Sequence, residues 1–509
     1  MKKIAMIVSA TALALAVFPA EAQKATDTIK VTIIDPFPML DPYHAPSNEG
    51  NQWVRDVYGR LTVYNEHKRE MQGELAKAWR KLDDKTLEFD LRDDVSFSSG
   101  NKFSAEDVKY TIDYIKDPAL NIRFKVRYTW IDRVEVLSPT KVRIHAVRPR
   151  ADDLEVLAYR FQMFDRAVHS KLEDKASYGR TSASSTGAYK LVSIDRNGNL
   201  HVTRNDDAVK KFPHLRAPIK NVVGVPIPDR QTQIAQILTG GVHVIGKSTP
   251  DMLAELAKNP DLRLTPFSTR MLVYITLDSA GRSDNKALTD VRVRQAFFKA
   301  INREAIIKTF VPGPGIALRP DGICFADNIG CAMTTKPLSY DPDGAKKLLA
   351  EAGKPNGFDM ELSAYAPYKE VAEAIAGDLR KVGIRASVNS LPLPVYVKLR
   401  GDGKLTALVA EYPTFAQPNV INIMDLFFGG DRSYVDDPLI NKAYTDGASI
   451  LDLGKRTELY RAAIDRVNEM TYIYPFSEQP NIYVHSKDVE IKPGLTSITE
   501  TRPGDYFWK

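Results

Sequence analysis

From Thr86 to Arg92 apolar and polar residues alternate one for one, Leu87, Phe89 and Leu91 against Glu88, Asp90 and Arg92. A period of two predicts a strand buried on one face. Asp93-Asp94 breaks the run, Val95 and Phe97 resume it as a short second strand, and Ser98-Ser99-Gly100-Asn101 supplies a turn. The period then lengthens to that of a helix. Ser104 stands at the N-cap, Asp107 three residues on makes a near capping box, and Glu106 and Asp107 face the positive end of the helix dipole. Val108, Ile112 and Ile115 give that helix one apolar face. Nothing in this strand-strand-turn-helix unit demands a catalytic group.

The same two periods recur along the chain. Ile29 to Ile34 reads as a strand. Asp290 caps a helix whose face is Val293, Ala296, Phe297 and Ala300. Asp341 and Pro342 open another, faced by Leu348, Leu349 and Ala352 and stopped at Gly353. An amphipathic helix runs from Val371 to Gly383, after which Ile384, Ala386 and Val388 alternate as a strand. Strands interleaved with helices predict an α/β fold. No repeat or low-complexity tract is visible.

The N-terminus breaks this pattern. Lys2 and Lys3 precede an uncharged, mostly apolar run from Ile4 to Phe18, then Ala20-Glu21-Ala22. That is the pattern of a secretory signal, residues 1–22, with the mature chain starting at Gln23. The run is shorter than the roughly 20 residues that span a bilayer. No Cys follows the cleavage site to carry a lipid, so the expected location is free in a periplasm. At 509 residues the chain is too long for one core. With 43% hydrophobic and 26% charged residues it has a soluble protein's composition. Its net charge of +6, reduced by one when the signal takes away two lysines and a glutamate, points to neither nucleic acid nor an acidic surface as partner, and no later segment is long and apolar enough for a membrane span. The two cysteines, Cys324 and Cys331, are expected to form a disulfide in an oxidising compartment. A loop this short gains roughly 2–3 kcal/mol in chain entropy. A metal site is the alternative, but no His lies near enough to complete the ligands.

Candidate chemistry changes the picture little. Gly241-Val242-His243-Val244-Ile245-Gly246-Lys247-Ser248 spells the phosphate-binding pattern G-x-x-x-x-G-K-S. It follows a helical stretch, Asp229 to Leu238, and its alternating Val242 and Val244 read as strand, so the context argues against a nucleotide. There is no G-x-S-x-G and no H-E-x-x-H. The eight histidines are scattered, and one such as His145, in the alternating Val142–Val147 run, reads as structural. Metal, cofactor and nucleophile all lack a motif. A hydrolase built on two carboxylates remains as the alternative class.

Six tracts together resemble one family. Asp84-Lys85-Thr86, Leu91-Arg92-Asp93, Val95, Phe97, Gly100, Phe103 and Ala105-Glu106-Asp107-Val108 follow the pattern DGKTYTFHLRDGVKFHDGTPFTAEDV, with Ser98-Ser99 replacing His-Asp. Glu74 to Trp79, Ser185 to Lys190, Leu288 to Ile307, Val371 to Val388, and the Leu40-Asp41-Pro42 loop add to it in order. They resemble the extracytoplasmic solute-binding proteins of family 5, receptors of dipeptide, oligopeptide and related ABC importers. The resemblance implies a two-lobed α/β fold with an extra subdomain inserted in the first lobe and two hinge crossings. Lobe one would take 23–50, 181–266 and 480–509, the insert 51–180, and lobe two 267–479. It implies a non-enzymatic, monomeric receptor that needs no cofactor, closes on a small solute and delivers it to an inner-membrane permease. Peptide-binding relatives keep an acid for the ligand's ammonium where this chain has Glu411, with Tyr412 and Phe415 as apolar walls. Tyr43, His44, Tyr274 and Tyr365 are expected to face the cleft too. A peptide or an opine-like amine is the expected ligand; an oligosaccharide or metal chelate is the alternative.

Overall fold

The computed structural model describes residues 24–509 except 35, 45–47, 121, 123–124, 181–182, 314, 414–416 and 495–499. The signal segment lies outside the described residues. Thr28–Ile33 alternates half-buried and buried positions and pairs in parallel with Asn221–Pro226, Val31 opposite Gly224. These two strands sit inside a seven-stranded sheet. On one side follow Leu200–Arg204 and Tyr189–Ile194; on the other Val244–Ile245, Asn481–Ser486 and Leu262–Phe267. Val244–Ile245 is the middle of the phosphate-loop spelling. Its backbone pairs inside the sheet, and the Lys247 ammonium lies 3.1 Å from Glu500. The residues that spell a phosphate cradle are structural here.

Between Thr28–Ile33 and Tyr189–Ile194 the chain builds a second, four-stranded antiparallel sheet: Ala76–Asp83, Thr86–Leu91, Lys141–Ala146 and Ile131–Ser138. Phe89 faces Trp79 on one neighbour and Val142 on the other. The helix Ala105–Lys116 covers it with Val108, Ile112 and Ile115, all fully buried. Its start is held as expected, the Ser104 N–H donating to Asp107 Oδ2 at 2.8 Å. Val95 and Phe97 do not form the expected second strand. They are buried, but only a Ser96–Lys102 bridge forms there. The Phe97 N–H bonds back across the turn to Asn101, and the Ser98 N–H goes to Ser185, so no ladder has donors left to grow.

The other lobe is a five-stranded sheet ordered Ile384–Leu391, Phe358–Tyr365, Ala407–Pro413, Met271–Leu277 and Ile473–Glu478. Helices Val291–Lys299 and Lys369–Arg380 bury one face, with Phe297 and Ile375 fully enclosed. The opposite face packs against Val420–Phe428 and Leu453–Glu469, through Met424, Phe427 and Tyr460. Gly383, at φ +96°, makes the turn from helix to strand that a side chain would strain. Cys324 and Cys331 are bonded, with Cα atoms 6.0 Å apart.

The chain passes between the two sheets twice, at Ser268–Arg270 and at Gln479–Pro480. Glu478, fully buried, ties the crossings together. Its Oε1 accepts from the Arg270 N–H at 2.8 Å and the Ser268 hydroxyl at 2.5 Å, and its Oε2 from the Leu318 N–H at 3.1 Å. Arg270 sits at φ +54°, a strained position that these bonds over-determine. Two short, hydrogen-bonded connections between two independently packed sheets form a hinge.

Candidate ligand cleft

Glu411 is set by strand register. Ala407–Pro413 pairs antiparallel with Met271–Leu277, Glu411 opposite Val273, and its last residue, Pro413, lies opposite Met271 beside the first crossing between the lobes. The carboxylate is half-buried, and the Tyr368 hydroxyl donates to Oε2. Across the cleft Lys247 and Glu500, from the seven-stranded lobe, both act on its charge. Lys247 is itself paired with Glu500. Among the described residues Glu411 has no ion-pair partner. Burial pushes its pKa above the usual glutamate range, against the pull of the Tyr368 bond and the Lys247 charge.

Tyr412, next in the strand, points to the opposite side. It is half-buried, receives a hydrogen bond from Asn422, and has its ring 6.2 Å from Phe427. Its hydroxyl pKa is pushed up to about 12 by burial, against the charges of Arg160 and Arg127 from the other lobe. Tyr365 ends the Phe358–Tyr365 strand with its ring 6.3 Å from Tyr368, close to Glu411's partner. Phe415 lies outside the described residues.

Three expected cleft residues are spent elsewhere. Tyr43 is fully enclosed, its hydroxyl on the Gln162 carbonyl at 2.7 Å and its ring edge-on to Phe164, so it has no surface to offer a ligand. His44, beside it, uses Nδ1 on Asp41 at 3.3 Å and Nε2 on the Tyr114 hydroxyl at 3.1 Å. Tyr274 lies mid-strand under Phe427, its hydroxyl 3.3 Å from that of Tyr396. Nearness in sequence to a cleft-forming loop or hinge placed these three, but the direction of each side chain was decided by packing.

Several cleft residues were not foreseen. Tyr368 carries no motif. Lys247 was set aside with the phosphate-loop spelling, and Glu500 is one acid among many. Gln417 and Asn419 of the ligand loop reach the first lobe, donating to Asp152 at 2.5 Å and Glu155 at 3.5 Å. The bond between Ala151 N–H and the Ala448 carbonyl, 2.9 Å, makes a third cross-lobe contact. The lobes are therefore shut on each other around Glu411. Only their polar character is readable in sequence; their convergence is not.

The family profile of bacterial extracellular solute-binding proteins, family 5 Middle, matches residues 70–434. The chain belongs to that family. It is 26% identical to the glutathione-binding protein GsiB of Escherichia coli O157:H7, over 94% of each chain. A dipeptide-binding protein from Pseudoalteromonas sp. SM9913, solved with Met-Leu, superposes with a TM-score of 0.79 at 21% identity, covering 95% of this chain and 100% of that one. AgaA from A. tumefaciens R10, solved with agropinic acid, has a TM-score of 0.75 at 23% identity, covering 95% and 99%. The two-lobed binding-protein fold is thus shared across nearly the whole chain. Family members are extracytoplasmic binding proteins, and among the described residues no helix is long and apolar enough to cross a membrane.

Proposed function

We propose that this protein is a periplasmic receptor that encloses a small amine-bearing solute, a peptide or an opine-like compound, and passes it to an inner-membrane ABC permease. One observation carries the reading: Glu411 is a half-buried carboxylate in the cleft with no cation paired to it among the described residues. A carboxylate drawn out of water needs a cationic partner to offset its lost hydration, and a ligand ammonium or guanidinium supplies one. The relatives' names, for glutathione and for a dipeptide, are compatible with such a ligand. In this reading the protein acts as a monomer. The first lobe takes 23–50, 181–266 and 480–509, the insert 51–180, and the second lobe 267–479. The solute shifts an open–closed equilibrium about Ser268–Arg270 and Gln479–Pro480.

Mass spectrometry of whatever co-purifies with the protein tests the reading. An amine-bearing compound, recovered intact after prolonged incubation with purified protein, is expected. Conversion of a stoichiometric excess to product would replace the receptor by a hydrolase. A neutral sugar as the bound species would move the oligosaccharide ahead of the peptide.

A further inference from the structure

The insert meets the second lobe along one face of a single helix. Ala151 and Asp152 precede the helix Asp153–Arg160, and Glu155, Ala158 and Tyr159 follow at spacings of three and four, so the set shares a face. Tyr64, Ala158 and Tyr159 form a small buried cluster. Ile329, from the second-lobe loop that the disulfide closes, packs against it beside Met71. In the other direction Ala151 packs against the second-lobe cluster that holds Met424 and Phe427. Each lobe thus lends an apolar side chain to the other's core. Beside them Gln417 donates to Asp152, both side chains buried, and the Asn419 amide lies 3.5 Å from Glu155.

The socket for Ile329 is built without help from the second lobe. The Tyr64 and Tyr159 rings lie 6.4 Å apart, the Tyr159 hydroxyl donates to Glu66 at 2.7 Å, and the Arg55 guanidinium sits 5.0 Å over the Tyr159 ring. All of these groups belong to the first lobe, so the socket keeps its shape when the lobes part. The knob is equally fixed. The Ile329 N–H bonds to the Pro418 carbonyl at 2.6 Å, the Val420 N–H bonds to the Ile329 carbonyl at 3.0 Å, and the disulfide spans the loop. Rotation about the crossings at Ser268–Arg270 and Gln479–Pro480 pulls knob from socket and wets both apolar surfaces.

We propose that this helix face and the disulfide loop form a latch, through which the insert holds the lobes shut and maintains a closed population without solute. The ligand loop links latch and cleft, since it starts at Glu411 and ends on Asp152 and Glu155 of the insert. Contacts between protein groups favour closure whatever lies in the cleft. The latch therefore raises affinity for every solute alike, while Glu411 selects among them. That consequence rests on the cleft being the solute site; the latch itself does not.

Distances between nitroxide labels test it, in mature protein stripped of bound compounds by mild guanidinium and dialysis. Arg133→Cys, on the insert, and Lys398→Cys, on the second-lobe helix Leu393–Gly401, place the labels at exposed sites. The native cysteines are bonded to each other and take no label. The stripped protein should show the closed distance in a substantial share of molecules. Ile329→Ala should lower the closed-to-open ratio about ten-fold, and Ile329→Val much less. Gln417→Glu keeps the size but sets a second carboxylate against Asp152, and combined with Ile329→Ala it should leave little closed population. Leu453→Ala, at an exposed apolar position of the same lobe, should keep the wild-type ratio. The proposal is overturned if the stripped protein shows the open distance alone, or if the combined variant stays as closed as wild type. No solute takes part, so a sugar or a hydrolysed compound in the cleft would overturn the proposed function and leave these distances unchanged.

Discussion

In the proposed function, Glu411 is the residue on which ligand choice turns. Loss of one partner of an enclosed ion pair costs about 2–5 kcal/mol, because the other charge stays desolvated. Glu411→Gln keeps the shape, so affinity for the co-purifying ligand should fall roughly 30-fold or more in a calorimetric titration. Glu411→Asp restores the charge and should do less harm. Wild-type affinity in the Gln variant would show that the ligand's cation sits elsewhere. The raised pKa of Glu411 adds a pH dependence. Protonation removes the anchor, so affinity should decline on acidification at a pH above the ordinary glutamate range, and the Gln variant should lack that decline. Of the residues near this carboxylate, the sequence suggested only Glu411 itself, its strand neighbour Tyr412, and Tyr365 beside Tyr368. Tyr43 and Tyr274 show why. An aromatic beside a cleft-forming loop or hinge is as suited to a core as to a ligand wall, and which it becomes depends on neighbours from distant parts of the chain.

Among the elements, the hinge is built on one buried acid. Glu478 satisfies donors on both crossings and on the Leu318 segment, and lies 3.4 Å from the Arg270 guanidinium. Glu478→Ala leaves those donors and the Arg270 charge without an acceptor, and should destabilise the protein by about 3–5 kcal/mol in urea unfolding. An unchanged midpoint would mean that other contacts hold the crossings. The disulfide is a second element-scale device. The loop it closes carries Asp327, which accepts from Arg270 Nε at 2.8 Å, and Ile329, whose N–H bonds to the Pro418 carbonyl at 2.6 Å. It therefore ties the hinge to the ligand loop. Thiol titration of the denatured, unreduced protein should find no reactive thiol. Reduction should weaken ligand binding more than it lowers Tm, and equal loss of both would make the bond merely structural. The short spacing and the export signal foretold the pairing; the contacts at its two ends depend on the folded arrangement.

Across the whole molecule, two buried histidines of the first lobe oppose folding in acid. Burial lowers the pKa of His243 and of His169 to about 4. His243 Nδ1 accepts the Lys30 N–H at 3.0 Å, and His169 is packed against Phe164 at 4.3 Å. An unfolded histidine titrates near 6.5, so between that pH and about 4 the unfolded chain binds more protons than the folded one. Stability from these two sites is fully present above about pH 6.5 and falls as pH drops toward 4, by about 3 kcal/mol each. Urea unfolding at pH 7 and pH 4.5 should show the loss, and His243→Gln should reduce it. Glu155, its pKa raised to about 7 by burial, acts in the opposite direction over the same range, so the decisive comparison is between variants: an equal loss in wild type and His243→Gln would place that ring in contact with solvent.

What the sequence by itself determined is local and periodic: alternating strands, capped helices, the turn at Gly383, the cysteine pair, and a run of short tracts whose order marks the family. Each rests on neighbours a few residues apart, where steric and capping rules act without reference to the rest of the fold. The tertiary structure alone decided which side chains meet at the cleft. Glu411, Tyr368, Lys247 and Glu500 come from four separate parts of the chain. Charges interact through space whatever their separation along the chain, so an acid without an ion-pair partner becomes visible only once the chain has folded around it.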